Sequence, residues 1–211
     1  MSTGYETNGR TAQKQRTRDA LVAAARDLVT QGLTPTVEAA AEAASISRTT
    51  AYRYFATQGA LLAAAHPETA WQSALPENPP RDVAARLDLV LAATSKMLLD
   101  TEPQQRTMLR LSLDAGPDER AQLPLRQGRV IKWLEEALEP LQEHMTREDR
   151  HRLALAIRSA TGIEALAWLT DIGGLSRADA VELMRWSAHA MLDAARADAS
   201  QRTRARRHDK R

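Results

Sequence analysis

Cysteine is absent from the 211-residue chain, which excludes disulfides and thiolate metal sites. Histidine is scarce. The five at positions 66, 144, 151, 189 and 208 fall at neither HxxxH nor HExxH spacing, so no metal site is expected. Gly-rich phosphate loops, nucleophile elbows and paired-carboxylate motifs are missing too. The expectation is therefore no enzyme, no catalytic residue and no cofactor. No apolar run approaches 18 residues and no apolar block follows the N-terminus, so neither a membrane span nor a signal peptide is predicted. A cytoplasmic protein follows.

The composition that remains is 43% hydrophobic and 27% charged, ordinary for a globular protein. The net charge of +2 is unevenly spread: +2 over residues 1–65, −5 over 66–195 and +5 over 196–211. A slightly basic front and an acidic middle suit a protein that meets phosphate at one end. Arg outnumbers Lys 25 to four, pointing with the abundant Ala to a GC-rich bacterial genome.

Periodicity predicts helices throughout, and no segment alternates like a strand. Residues 1–13 are polar and aperiodic and read as a flexible arm. From Lys14 a helix buries Leu21, Ala24, Ala25 and Leu28 at i, i+3, i+4 and i+7, and Gly32 stops it. Thr36 is an N-cap for a second helix, with Glu38 in its first turn and Val37, Ala40, Ala41 and Ala44 facing inward. Ser47 caps a third, Ile46 and Ala51 match a hydrophobic staple, and Phe55 (the sole Phe) plugs the core. After Gly59 an Ala/Leu helix runs to about Ala70. The run LPENPP, Leu75 to Pro80, is the linker. Helical patterns then cover 82–99, 103–113, 120–144, 148–170 and 177–197. This predicts a domain over 14–74, another over 81–197, and a disordered basic tail over 198–211.

The stretch TVEAAAEAASISRTTAYRYF, Thr36 to Phe55, has the pattern of a helix-turn-helix, whose second helix enters the DNA major groove. Arg48, Thr49, Tyr52 and Arg53 share the face opposite Ala51 and Phe55. From that spacing Arg48, Thr49 and Arg53 are base-reading candidates: Arg pairs bidentately with guanine and a Thr methyl meets a thymine methyl. Tyr52 suits either base or phosphate. Arg10, Lys14, Arg16 and Arg18 are candidates for backbone or minor-groove contacts from the arm.

With its turn and third helix, the chain resembles the tetracycline-repressor (TetR) family. There the segment runs as two small residues, Gly-Val-Ser, two variable residues, Thr-Leu-Tyr-x-His/Tyr-Phe and a Ser/Thr-Lys-Glu segment. Here it is Ala44, Ser45, Ile46, Ser47, then Thr50, Ala51, Tyr52, Arg53, Tyr54, Phe55, and Thr57, Gln58, Gly59. Ser45, Gln58 and Gly59 depart from the pattern. The resemblance implies an all-α fold of about nine helices, with an N-terminal three-helix helix-turn-helix domain joined to a C-terminal ligand-binding and dimerisation domain. It implies a homodimeric repressor on a palindromic operator in double-stranded DNA, released by a small-molecule effector. It also makes Thr36, Thr50 and Tyr54 phosphate donors and puts Gln58 where relatives carry a phosphate-meeting Lys.

In the second half, Ala156, Ala160, Ile163 and Ala167 on one helix, with Val181, Met184, Ala188 and Met191 on the next, have the small and apolar spacing of a four-helix dimer interface. Trp71, Met97, Met108, Leu109, Leu113, Trp133 and Leu134 are candidate ligand-pocket residues, with Glu164 or Asp114 as polar anchor. Apolar residues at such spacing also serve as plain core. The rival reading is a helical interaction protein that keeps the helix-turn-helix as a scaffold, and Ser45, Gln58 and Gly59 favour it.

Overall fold

The computed structural model describes residues 3–65, 72–114, 116 and 128–208. Its helices are α1 (Thr3–Thr30), α2 (Val37–Ala43), α3 (Arg48–Tyr54), α4 (Gln58–Ala65), α5 (Val83–Asp100), α6 (Glu102–Asp114), α7 (Arg129–Ala137), α8 (Arg147–Ala160), α9 (Ile163–Ala167) and α10 (Arg177–His208). A 3₁₀ segment at Glu139–Glu143 and a π turn at Trp168–Ile172 complete the set. No strand occurs among the described residues. The chain forms two compact units, residues 1–70 with 101–127, and residues 71–100 with 128–211.

In the first unit α1 begins at Thr3, so helix replaces the flexible arm expected over 1–13. It ends where Gly32, at φ +78°, lets Leu33 N–H reach the Leu28 carbonyl at 3.0 Å, a left-handed stop that suits glycine. Leu21, Val22 and Ala25 of α1 pack with Val37, Ala40, Ala41, Ala51, Phe55 and Leu61 into one core. The expected stripe is shifted: Ala24 and Leu28 are half-buried, while Val22 and Val29 are buried.

The linker was expected to divide the chain once, but α6 belongs with the first unit. Its Met108 packs against Val29, Leu62 and Ala63, and buried Gln104 donates from Nε2 to the Leu62 carbonyl at 2.6 Å. These contacts carry α6 across the boundary predicted from composition.

The second unit gathers Leu87, Val90 and Leu91 of α5, Trp133 and Leu134 of α7, Leu153 and Ile157 of α8, and Ala188 and Leu192 of α10 into its core. Trp133 also donates from Nε1 to the Gln72 carbonyl at 3.1 Å, satisfying its one polar atom. Asp88 ties α5 to α10, accepting from Arg185 Nε at 2.8 Å and meeting His189 Nε2 at 2.8 Å.

Within the span 120–144, α7 gives way after Ala137 to the 3₁₀ segment, with Pro140 near its start. Proline has no N–H to continue an α-helix. Residues 117–127 lie outside the described residues. The single helix expected over 148–170 is broken: Thr161 Oγ1 turns back to the Ile157 carbonyl at 2.8 Å, and Gly162 is extended at φ −101°, ψ −175°. Arg158 bridges the break to Glu164 at 3.3 Å. The Arg147–Ile172 stretch reaches a mean hydropathy of 1.2, enough by length and composition alone to span a bilayer. The break at Gly162 and the buried Leu153, Ala154, Ile157, Ile163 and Leu166 identify it instead as part of this unit's packing. At the C-terminal end α10 continues to His208, replacing much of the expected disordered tail.

Candidate nucleic-acid interface

Two helix caps and one left-handed residue build the site. Thr36, extended at φ −79°, ψ 172°, caps α2 by accepting from Ala39 N–H at 3.2 Å. At the other end of α2, Ser45 N–H bonds the Glu42 carbonyl at 3.0 Å and Ile46 N–H bonds the Ala41 carbonyl at 2.8 Å. Those two bonds are a Schellman motif, and Ser45 holds its left-handed position at φ +55°, where glycine is the usual residue. The turn of the family pattern is thus kept without its glycine.

Ser47 then opens α3 from φ −64°, ψ 145°. Its Oγ accepts from Thr50 N–H at 3.2 Å and donates to Thr50 Oγ1 at 2.9 Å. Ala51 and Phe55 point into the core, with Ile46 packed beside them, as the staple requires. Arg18 of α1 places its guanidinium 5.3 Å from the centre of the Phe55 ring, a cation–π contact.

With the apolar side of α3 inward, Arg48, Thr49, Tyr52 and Arg53 face solvent, and Thr50 and Tyr54 are half-buried. Tyr54 packs its ring on the core. Among the described residues neither Arg48 nor Arg53 has an ion-pair partner closer than 4.0 Å. Lys14 and Arg16 are exposed on α1, on helix rather than extended arm, and the Arg10 side chain lies outside the described residues.

Two residues have partners that spacing did not predict. Gln58 donates from Nε2 to the Pro35 carbonyl at 3.1 Å, locking the start of α4 to the entry of α2. One of its two amide hydrogens is used inside the fold, and the other remains for an outside acceptor. Tyr52 donates its hydroxyl hydrogen to Glu38 Oε1 at 2.5 Å. That bond, ahead of all other influences, holds the Glu38 carboxyl below its ordinary value of 4.5 and raises the Tyr52 phenol above 10.0. Glu38 is more than a first-turn dipole residue. The signal was in the sequence as an acid on α2, but the partner fourteen positions on was not.

The ligand-pocket candidates do not gather within one unit. Met108, Leu109 and Leu113 lie on α6 in the first unit, whereas Met97, Trp133 and Glu164 lie in the second. Met97 and Trp133 are core residues, Glu164 is exposed on α9, Leu113 is exposed, and Trp71 lies outside the described residues. Leu134 is core and Asp114 is exposed. The second unit has an open groove of about 330 Å³ between α8 and the C-terminal part of α10, floored by Leu153, Ala156, Met191 and Ala195. None of the pocket candidates lines it.

The expected dimer residues also separate. Ile163, Met184 and Ala188 are buried inside this chain's own core, so they support the helices and cannot touch a partner. Ala156, Ala160, Ala167, Val181 and Met191 are half-buried. From α8 onward, the large apolar groups that face solvent are Leu155, Trp168, Ile172, Leu183 and Trp186, with Trp186 67% and Ile172 73% exposed. Helix α10 thus carries two apolar stripes, Ala180-Met184-Ala188-Leu192 inward and Leu183-Trp186 outward. The heptad spacing over Val181, Met184, Ala188 and Met191 mixes the inward Met184 and Ala188 with the half-buried Val181 and Met191.

Helix-turn-helix geometry and an all-helical second unit define the class: an all-α protein whose third helix presents a polar face to solvent. The fold is that of TetR-type regulators. It matches the crystal structure of a TetR transcriptional regulator from Rhodococcus sp. RHA1 with a TM-score of 0.58 at 19% identity, covering 84% of this chain and 96% of that one. No family model and no curated protein matches the sequence.

Proposed function

We propose that the chain is a transcription regulator of the TetR family that binds a palindromic operator as a homodimer, acts as a repressor and is released by a small molecule. The observation that carries the reading is the presented face of α3. The Schellman turn at Ser45 and the Ser47 cap hold Arg48, Thr49, Tyr52 and Arg53 in solvent, the side-chain types that read guanine and thymine edges. In this reading Thr36, Thr50 and Tyr54 donate to phosphates, contacts that position without reading sequence.

The exposed Leu155, Trp168, Ile172, Leu183 and Trp186, all between 148 and 197, support dimerisation through this C-terminal region, since large exposed apolar surface marks interaction sites. A two-fold dimer presents two recognition helices to two half-sites. Release by an effector requires two states that differ in DNA affinity, with the effector favouring the weaker one. No described cavity singles out the effector's chemistry.

The test is selection of bound duplexes from a random pool with purified protein. A palindromic consensus supports regulator and dimer together. No enrichment from a folded dimer favours an interaction protein, the reading for which the inward-turned Gln58 is the supporting observation.

A further inference from the structure

The proposed DNA face contains a carboxylate. Glu38, on α2, accepts the Tyr52 hydroxyl hydrogen and feels the charge of Arg48. One candidate DNA contact, Tyr52, is thus bound to an anion on the same face. Duplex DNA carries a negative charge about every 1.7 Å of its axis, so Glu38 opposes docking on any sequence unless something at the base edges compensates it. A phenol has a single proton to give. While it is committed to Glu38, Tyr52 cannot donate to a phosphate, and only its ring and the hydroxyl lone pairs remain for bases. The second carboxylate oxygen can accept from a base amino group, as acidic residues do from cytosine.

We infer that Glu38 is a specificity-determining residue of the recognition face: its carboxylate, bonded to Tyr52, penalises duplexes of the wrong sequence and is offset at the correct operator by a base amino donor. This rests on the regulator reading. It differs from a purely structural clamp, which would lower affinity for all duplexes alike when removed.

The experiment compares the full-length protein with Glu38→Gln and Glu38→Ala, by fluorescence anisotropy across a salt series. The probes are the duplex recovered by selection and a scrambled duplex of the same composition. Gln still accepts from Tyr52 but is neutral. Glu38→Gln is expected to tighten the scrambled duplex by roughly threefold to tenfold at low salt and to narrow the ratio between the two probes by more than that. Unchanged binding of both probes overturns the inference. So does an equal weakening of both by Glu38→Ala accompanied by a lower melting temperature, which would make Glu38 a structural clamp. If the wild type fails to distinguish the probes, the regulator reading falls and the inference with it. If the wild type distinguishes them and Glu38→Gln distinguishes them equally well, only the role of Glu38 falls.

Discussion

The first unit joins an alanine-rich helix-turn-helix core to short-range polar caps, whereas the second unit's core is built mainly of large apolar side chains. Half of the buried residues in the helix-turn-helix core are alanine (Ala25, Ala40, Ala41, Ala51 and Ala65), alongside larger ones such as Leu21, Phe55 and Leu61, and the turn geometry comes from Thr36, Ser45 and Ser47. In the second unit Trp133, Leu134, Ile157 and Met184 fill the interior. Small residues bury little area each, so orientation there depends on caps and backbone hydrogen bonds worth about 1 kcal/mol apiece. Large residues contribute about 2–5 kcal/mol each through packing. A helix that presents a polar face needs a fixed orientation more than a deep core, and the first unit supplies one.

That contrast can be broken in order of size. Trp133→Ala removes the largest buried side chain of the second unit and its bond to Gln72, and is expected to destabilise by about 3–5 kcal/mol in denaturant unfolding. Next is the pair of stripes on α10. Met184→Ala should cost about 2–5 kcal/mol of stability, whereas Trp186→Asp should leave the unfolding curve nearly unchanged and drive the protein to monomer in sedimentation velocity. If Trp186→Asp unfolds the chain instead, the outward stripe is misassigned.

Ser47→Ala deletes the cap on α3 and should cost about 0.5–2 kcal/mol, with operator affinity falling alongside as the helix start frays. Ser45→Gly should do the reverse. A left-handed residue at φ +55° suits glycine, and the change is expected to stabilise by a few tenths to about 1 kcal/mol; a lower melting temperature would contradict this. The smallest effect is the acid response at Asp88. Its hydrogen bond from Arg185, then that with His189, hold its carboxyl below 3.8. The contribution is therefore complete above that value and is lost as pH falls through the lower folded value. Asp88→Asn should be less stable than the wild type at neutral pH and should lose less stability on acidification, which thermal melts at the two pH values will read.

The recognition unit was legible because its signals are local. A Thr or Ser cap acts within three residues and a staple within five, so Thr36, Ile46, Ser47, Ala51 and Phe55 could be placed without knowing the fold. The hydrogen bonds of Gln58 and Glu38 were not legible because their partners, Pro35 and Tyr52, are far along the chain and come close only after the helices pack. Met184 and Ala188 were misjudged for a different reason: one helix can carry two apolar stripes, and periodicity cannot say which faces its own core.

By itself, the sequence determined that the chain is helical, that a helix-turn-helix lies over Thr36 to Phe55, and which side of α3 is apolar, since each follows from backbone chemistry within a turn or two. The tertiary structure alone decided that α6 packs with the first unit, that Gly162 breaks a helix, that Tyr52 is bound by Glu38, and that Trp186 rather than Met184 faces outward. These depend on which surfaces bury one another, a choice made by the whole chain's packing free energy and not by any local window.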